Sequence, residues 1–383
     1  MLRTGLALGA LGAACFVSVT SENLPVALLP QLAAGLGVGE PAVGLLMTGY
    51  AVVVAVTVVP LVALTARWDR RTTALVTLGM IVVSNLVLAV APGYGVAVAA
   101  RLVAATGHGV FWSVVAAMAA RLLGPGQSGR ATAVVFAGNS LAFLCGLPVS
   151  SWLGTTLGWR PAVLVVAGVA ALAAAVIRGT VAPMPAEAPR RGSVRRVVAD
   201  RSLAPVTVTT LLVVTAHFAA YTYITAIIAL VHLTGPATST LLFAYGVAGL
   251  AGLLVIGRHI DRRPRATALF TTGGLAACLL VLAADPGAGV AGAAVVAWAA
   301  PAAGIGVVLQ AAVLRVAKIQ PDLASAVYIV AFQVGIALGA ALGGLSLGHG
   351  ALPVAVLIAV AGGLAASLVA ARSAAFKAPA GHD

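Results

Sequence analysis

The sequence predicts an all-α membrane protein: twelve transmembrane helices in two pseudo-symmetric bundles of six. Three observations carry that prediction. The chain is 61% hydrophobic and 8% charged, with a mean hydropathy of +1.11, whereas soluble domains carry about 25% charge. Apolar runs long enough to cross a bilayer, about 20 residues each, recur along its whole length. A charged turn in the first half also reappears half a chain later.

Taken in order, the apolar runs cover 4–34, 41–64, 72–91, 97–123, 129–153, 161–178, 204–231, 237–256, 266–284, 288–314, 323–348 and 352–372. The first follows Arg3 in the manner of a signal peptide. It continues past residue 15 and through Glu22 to about Ala34, with no small-residue cleavage site leading into a soluble domain. It therefore reads as a span. Spans 9 and 10 are separated only by Asp285-Pro286-Gly287, a tight-turn signal. The 44 glycines suit packed membrane helices, where small residues let backbones approach. Cys15, Cys145 and Cys278 fall inside apolar stretches without metal-ligand spacing and read as small packing residues.

The long polar interruption is Arg178 to Arg201. It holds six of the 22 basic residues against two acids, Glu187 and Asp200, and three prolines break its first half. It divides the chain into an N-terminal bundle over 1–178, a basic linker over 179–203 and a C-terminal bundle with a short tail over 204–383. Basic residues favour the cytoplasmic side of a membrane. With the N-terminus inside, 20 of the 22 lysines and arginines fall on inner segments, and only Arg101 and Arg160 fall outside. A miscounted span would invert every later loop, so this segregation favours twelve spans with both termini in the cytoplasm. The net charge of +13 is spread in short clusters between apolar spans, which argues against a nucleic-acid partner. The basic linker also lacks interleaved aromatics, and topology and anionic lipid heads account for it.

The halves repeat. Span 2 leads into Thr65-Ala66-Arg67-Trp68-Asp69-Arg70-Arg71, and span 8 into Gly257-Arg258-His259-Ile260-Asp261-Arg262-Arg263. Asp69 and Asp261 are 192 residues apart, each followed by two arginines. Six spans per half keep both copies facing the same way, a parallel repeat about an axis along the membrane normal. On these residues the chain resembles the major facilitator superfamily of secondary transporters over essentially its whole length. The family's loop signature is Gly-x-x-x-Asp-Arg-x-Gly-Arg-Arg in outline. Gly257, Asp261 and Arg262 match it in the second half, Asp69 and Arg70 in the first, and Thr65 replaces the first-half glycine. Thr20-Ser21-Glu22-Asn23-Leu24-Pro25, Gly107-His108-Gly109-Val110-Phe111-Trp112, and Gly146-Leu147-Pro148 followed by Gly158-Trp159-Arg160 resemble the sugar-efflux and drug:proton antiporter branch.

Glu22 is the one acid well inside a span. A carboxylate in hydrocarbon costs at least about 2.5 kcal/mol, so it is expected to face the bundle interior and to be functional. Such a group holds a proton near neutral pH and releases it when water or a cation arrives. A structural hydrogen bond or an ion pair with Arg101 is the alternative. Pro25 and Pro30 loosen the helix after Glu22 and free carbonyls that a substrate or water can use. Related exporters carry an arginine where Arg101 stands, implicated in proton transfer and followed four residues on by glycine; here that residue is Ala105. Glu22 and Arg101 differ in depth by a helical turn or two, a gap a long arginine bridges. The competing reading is an interfacial arginine snorkelling outward.

A histidine titrates near neutral pH, and His108, with Trp112, is a candidate to line a cavity and stack on a planar substrate; a packed neutral histidine is the alternative. Asn23 adjoins Glu22, and Asn139 opens a small-residue face through Gly146, Pro148 and Ser150 that helix packing would also explain. The resemblance associates a Gly-Pro signature in this helix with export, and Gly146-Leu147-Pro148 is a spaced variant of it. In the second half His217 and Tyr221 lie four apart on one helix face, while Gln310 and Gln333 sit within spans 10 and 11. All four are cavity candidates. The resemblance implies that Asp69, Arg70, Asp261 and Arg262 form a conformational latch. A solvated turn that merely sets topology is the bland reading, its acids meeting arginines and helix N-termini.

No GxxxxGK[ST], HExxH, CxxC or serine-elbow motif occurs in a suitable context. No cofactor and no catalytic residue are expected. The expected activity is proton-coupled efflux of a small drug-like or sugar-like molecule by alternating access, carried out by a monomer in the cell membrane. A facilitator or importer of a small metabolite such as a nucleoside or sugar remains open on the same fold. A non-transporting receptor or scaffold is more remote.

Overall fold

The computed structural model describes residues 2–123, 137–185, 200–230, 236–284, 287–317 and 321–377. These form α-helices joined by short turns, with no strand among the described residues. Eleven of the described helical segments are long and apolar enough to cross a membrane. The remaining expected span, 129–153, begins outside the described residues, and its described part is helical from 137 onward. The chain is a twelve-helix membrane protein.

The first compact unit comprises Met1–Gly39 and Gly49–Arg190. It contains α1 (Leu2–Ala27), α2 (Leu29–Leu36), most of α3 (Glu40–Thr65), α4 (Arg70–Ala89), α5 (Tyr94–Leu123), a π-helical turn at Ala142–Gly146, α6 (Leu147–Thr156) and α7 (Trp159–Thr180). The second unit comprises Glu40–Thr48 and Arg191–Asp383. Its further helices are α8 (Ala204–Tyr221), α9 (Ile224–Leu230), α10 (Pro236–His259), α11 (Pro264–Ala283), α12 (Ala288–Ala302), α13 (Gly304–Val316), α14 (Pro321–Gly348) and α15 (Leu352–Arg372).

The first span, expected over 4–34 and loosened after Glu22, is two helices separated at Leu28. Pro30 has no N–H to offer the carbonyl four residues back and its ring crowds that turn. The seventh span breaks in the corresponding place, at Thr222 and Tyr223. Glycines hold both broken helices at close backbone distance. In the first unit a Cβ at Gly138 would strike the Gly12 carbonyl, and one at Gly146 the Thr20 hydroxyl. In the second unit Cβ atoms at Gly339 and Gly343 would strike the carbonyls of Thr215 and Ala219. The small-residue face expected on span 5 thus packs against α1. Gly158 takes φ +90° at the turn into α7, a conformation a side chain resists.

Large apolar side chains point outward along the spans: Val56, Leu64 and Leu172 are each more than 60% exposed, as lipid-facing residues must be. Most of the basic linker lies outside the described residues. Its first residues, and the helices beside them, are tied by hydrogen bonds. Arg3 Nε donates to the Thr180 carbonyl at 3.2 Å, Arg71 to Val181 at 3.0 Å, Arg121 to Pro185 at 2.7 Å, and the Arg70 amide to Met184 at 2.8 Å. The second half repeats one of these ties: Arg265, in the first turn of α11, donates to the Ser373 carbonyl after α15 at 2.9 Å.

Candidate functional site

Pro25, inside α1, organises a buried polar cluster in the first unit. Pro25 lacks an N–H, so the Ser21 carbonyl has no helical donor. Arg101 from α5 supplies one: its guanidinium donates to the carbonyls of Ser21 and Glu22, at 2.7 Å each. The side chain is 1% exposed and lies over the Tyr50 ring at 4.6 Å. Arg101 therefore does not snorkel outward, and it grips the main chain of Glu22 rather than its carboxylate. Proline-freed carbonyls are expected to be open to substrate or water, but that of Ser21, freed by Pro25, is occupied by this arginine. Ala105, in place of the glycine of related exporters, is fully buried and packs with Tyr50, Val54 and Ala104.

The Glu22 carboxyl group faces His108, with Oε2 3.6 Å from Nε2. The other imidazole nitrogen, Nδ1, lies 3.3 Å from the Ser18 hydroxyl. Tyr50 closes this cluster edge-on to His108 at 5.5 Å, and Trp112 tilts toward the imidazole at 6.2 Å. Asn85 of α4 donates to the Ser21 hydroxyl at 2.8 Å. Glu22, Arg101, His108 and Trp112 are thus brought together. Asn23 turns back on its own helix, donating to the Val19 carbonyl at 3.0 Å, and Asn139 is half-buried. Ser18, Tyr50 and Asn85 are the members that sequence reasoning missed.

In the second unit His217 stacks on Tyr221, with centroids 4.8 Å apart and planes at 16°. Trp298 of α12 and Tyr245 of α10 complete the cluster, Trp298 meeting His217 at 5.4 Å and Tyr245 at 5.7 Å. Neither tryptophan nor tyrosine was singled out from sequence. Gln310 donates to the Ser325 hydroxyl at 2.7 Å. Gln333 is buried with its Oε1 unpartnered among the described residues.

The family model of the Major Facilitator Superfamily matches residues 11–318. The chain belongs to the major facilitator superfamily. It is 40% identical over 355 residues to a chloramphenicol efflux pump of Mycobacterium tuberculosis, covering 90% of this chain and 86% of that one. To a probable sugar efflux transporter of Helicobacter acinonychis it is 30% identical over 341 residues, covering 86% and 85%. Among solved structures, the nucleoside transporter NupG superposes with a TM-score of 0.75 at 11% identity, covering 97% of this chain and all of that one. This major facilitator protein is a membrane transporter, and its relatives place it with the drug and sugar efflux branch.

The superfamily's loop residues take two different forms here. Asp69 caps α4, accepting from the Thr72 amide at 3.0 Å, so this acid meets the positive end of a helix. In the second half the residue ahead of α11 is Arg263, not Asp261. Among the described residues no arginine comes within ion-pair distance of Asp69 or Asp261. Arg70 contributes its amide to Met184, while its buried Nε has no partner among the described residues. Arg262 lies exposed in the turn.

Proposed function

We propose that this transporter exports a small drug-like molecule in exchange for protons, with Glu22 as the proton-binding group. The observation that carries this reading is the Glu22 carboxyl itself. It is buried in α1 and faces His108, while the nearest guanidinium, Arg101, is committed to main-chain carbonyls. No arginine among the described residues lies within ion-pair distance of the carboxylate, although the Arg101 charge stands nearby, and gaining or losing a proton changes the charge of the cluster. Arg101 holds the backbone of Glu22 in place, and His108 is the group with which the carboxyl exchanges its proton. Alternating access then requires only that proton and cargo bind the two conformations with different affinity. The segregation of basic residues supports both termini lying in the cytoplasm. Asp69, Arg70, Asp261 and Arg262 are proposed as the latch, bundles 1–178 and 204–383 as the moving halves, with the 179–203 linker joining them in a single-chain transporter. The 40% relationship to a chloramphenicol pump supports a drug-like cargo; the 30% relationship to a sugar efflux protein supports a sugar as the second reading.

The test is transport in proteoliposomes of the full chain under an imposed pH gradient, with chloramphenicol and arabinose as separate cargoes. Gradient-driven accumulation of chloramphenicol is expected, and its loss in Glu22→Gln. Accumulation by Glu22→Gln that still follows the gradient removes Glu22 from proton coupling. Arabinose carried in place of chloramphenicol shifts the cargo to the second reading.

A further inference from the structure

The Glu22 cluster has a counterpart in the second half. Glu22 on the first span, Tyr50 on the second and His108 on the fourth correspond to His217, Tyr245 and Trp298, at offsets of 195, 195 and 190 residues. The geometry repeats with the positions. Tyr50 and His108 meet at 5.5 Å and 77°, Tyr245 and Trp298 at 5.7 Å and 86°. Glu22 lies six residues before the break in α1 at Leu28, and His217 six before Tyr223 in the break after α8.

What has changed is the chemistry. An imidazole replaces the acid and an indole replaces the first-half imidazole. The residue 190 positions after Arg101 is Ala291, so the guanidinium has no counterpart. The second cluster is made of rings: His217 also meets Phe218 edge-on at 5.1 Å, and Tyr221 meets Tyr245 at 5.9 Å. Two of its buried polar atoms are left open among the described residues. Trp298 Nε1 and His217 Nδ1 have no hydrogen-bond partner among the described residues. An indole N–H only donates, and a buried one ordinarily finds an acceptor. A phenylalanine would keep an aromatic ring there without that orphaned donor. All four rings are buried, Trp298 and Tyr221 at 0% and 1% exposed and His217 and Tyr245 at 7% and 6%.

We propose that this second-half cluster binds an uncharged, planar aromatic ring carrying a hydrogen-bond acceptor such as a nitro or carbonyl group. The ring stacks on Tyr221 in place of the His217 imidazole, and the acceptor takes the Trp298 N–H. His217 is the ring that yields, because no hydrogen bond to another described residue anchors it. Absence of acid and guanidinium from the cluster selects against charged cargo, whose desolvation nothing here offsets. The proposal rests on reading the chain as an exporter of small molecules, but not on proton coupling.

The experiment is equilibrium binding of radiolabelled chloramphenicol, a neutral nitroaromatic, to the purified full-length protein at fixed pH. Competitors are 4-nitrobenzyl alcohol and cyclohexylmethanol, similar in size with and without the aromatic ring. The nitroaromatic alcohol is expected to displace the probe and the cyclohexyl alcohol to fail at the same concentration. Trp298→Phe, which keeps a ring and deletes the N–H, is expected to weaken binding about tenfold, the fold-change of one lost hydrogen bond. Tyr221→Leu is expected to weaken it by a similar factor, with the thermal unfolding of both variants confirming that they fold. Three results each overturn the proposal: wild-type protein that holds no probe, equal competition by the two alcohols, or wild-type affinity in both variants. The assay uses no gradient, so failure of proton-driven flux leaves it standing, and its own failure leaves Glu22 coupling to be judged from flux.

Discussion

Replacing Arg101 by methionine deletes a guanidinium while keeping most of the volume of its stem. The loss is specific. Two hydrogen bonds of 2.7 Å go, and the Ser21 carbonyl that received one of them has no helical donor because residue 25 is proline. Hydrogen bonds from charged donors contribute about 1.5–3 kcal/mol each in soluble proteins, whereas interhelical polar pairs within membranes average about 0.6 and reach about 1.7 kcal/mol. The buried, proline-opened acceptor places this pair near the upper membrane figure, so Arg101→Met is expected to cost about 2–3 kcal/mol. Pro25→Ala restores an N–H that the Ser21 carbonyl can accept from within α1. In that background the arginine has less to satisfy, and the same substitution should cost less by about 1–2 kcal/mol. The assay is reversible unfolding of the purified protein in mixed micelles, read as a double-mutant cycle over the four variants. Additivity within about 0.5 kcal/mol, the figure for independent sites, refutes the claim that Arg101 serves the gap opened by Pro25.

Two further expectations test packing and tethering. Gly339→Ala places a Cβ against the Thr215 carbonyl and within 2.9 Å of the Ala219 amide nitrogen; it should lower stability by about 1–3 kcal/mol in thermal unfolding. Gly168→Ala, with nothing within 4 Å of the added atom, should leave stability unchanged or slightly raised, and equal losses at both sites would refute the close-packing account. Arg71→Ala removes the 3.0 Å hydrogen bond to the Val181 carbonyl. It should raise amide exchange over 181–184 by about tenfold, with Arg265→Ala doing the same over 373–376; unchanged protection in both would show that these ties hold nothing.

The fold was legible because a membrane span announces itself by length and polarity, and because each half writes the same order of spans and the same Asp-Arg-Arg turn. What sequence reasoning could not place was where a span breaks and which way a side chain turns. Pro25 and Pro30 signalled a weakened helix, yet nothing in a linear reading says that Arg101, far along the chain, occupies the gap. Glu22, Arg101 and His108 were identifiable as polar residues that hydrocarbon tolerates only at a cost. Tyr50 and Trp298 were not, since an aromatic residue in an apolar span carries no such signal. Ser18 was hidden for a related reason, because a hydroxyl in a helix can always satisfy itself on its own backbone. A register search at the half-chain repeat was the one route to Tyr50 and Tyr245, which share the 195-residue offset of Glu22 and His217.

That shared offset also constrains how the two clusters came to differ. Each half keeps a broken first helix, glycines that seat it and a tyrosine from its second span, so the scaffold is common and the divergence lies in a few side chains. In the first half a guanidinium occupies the Ser21 carbonyl that Pro25 frees and the Glu22 carbonyl beside it, rather than pairing with the Glu22 carboxylate. In the second half the break at Thr222 and Tyr223 involves no proline, and Tyr223 instead anchors its hydroxyl on the Ala340 carbonyl at 2.9 Å. No proline opens a carbonyl to an arginine there, and with the arginine absent an acid at position 217 would stand in hydrocarbon with no cation nearby. A neutral imidazole among rings is the residue that position tolerates. An Arg101 that serves the gap opened by Pro25 and a His217 that replaces an acid are therefore two consequences of where the prolines fall.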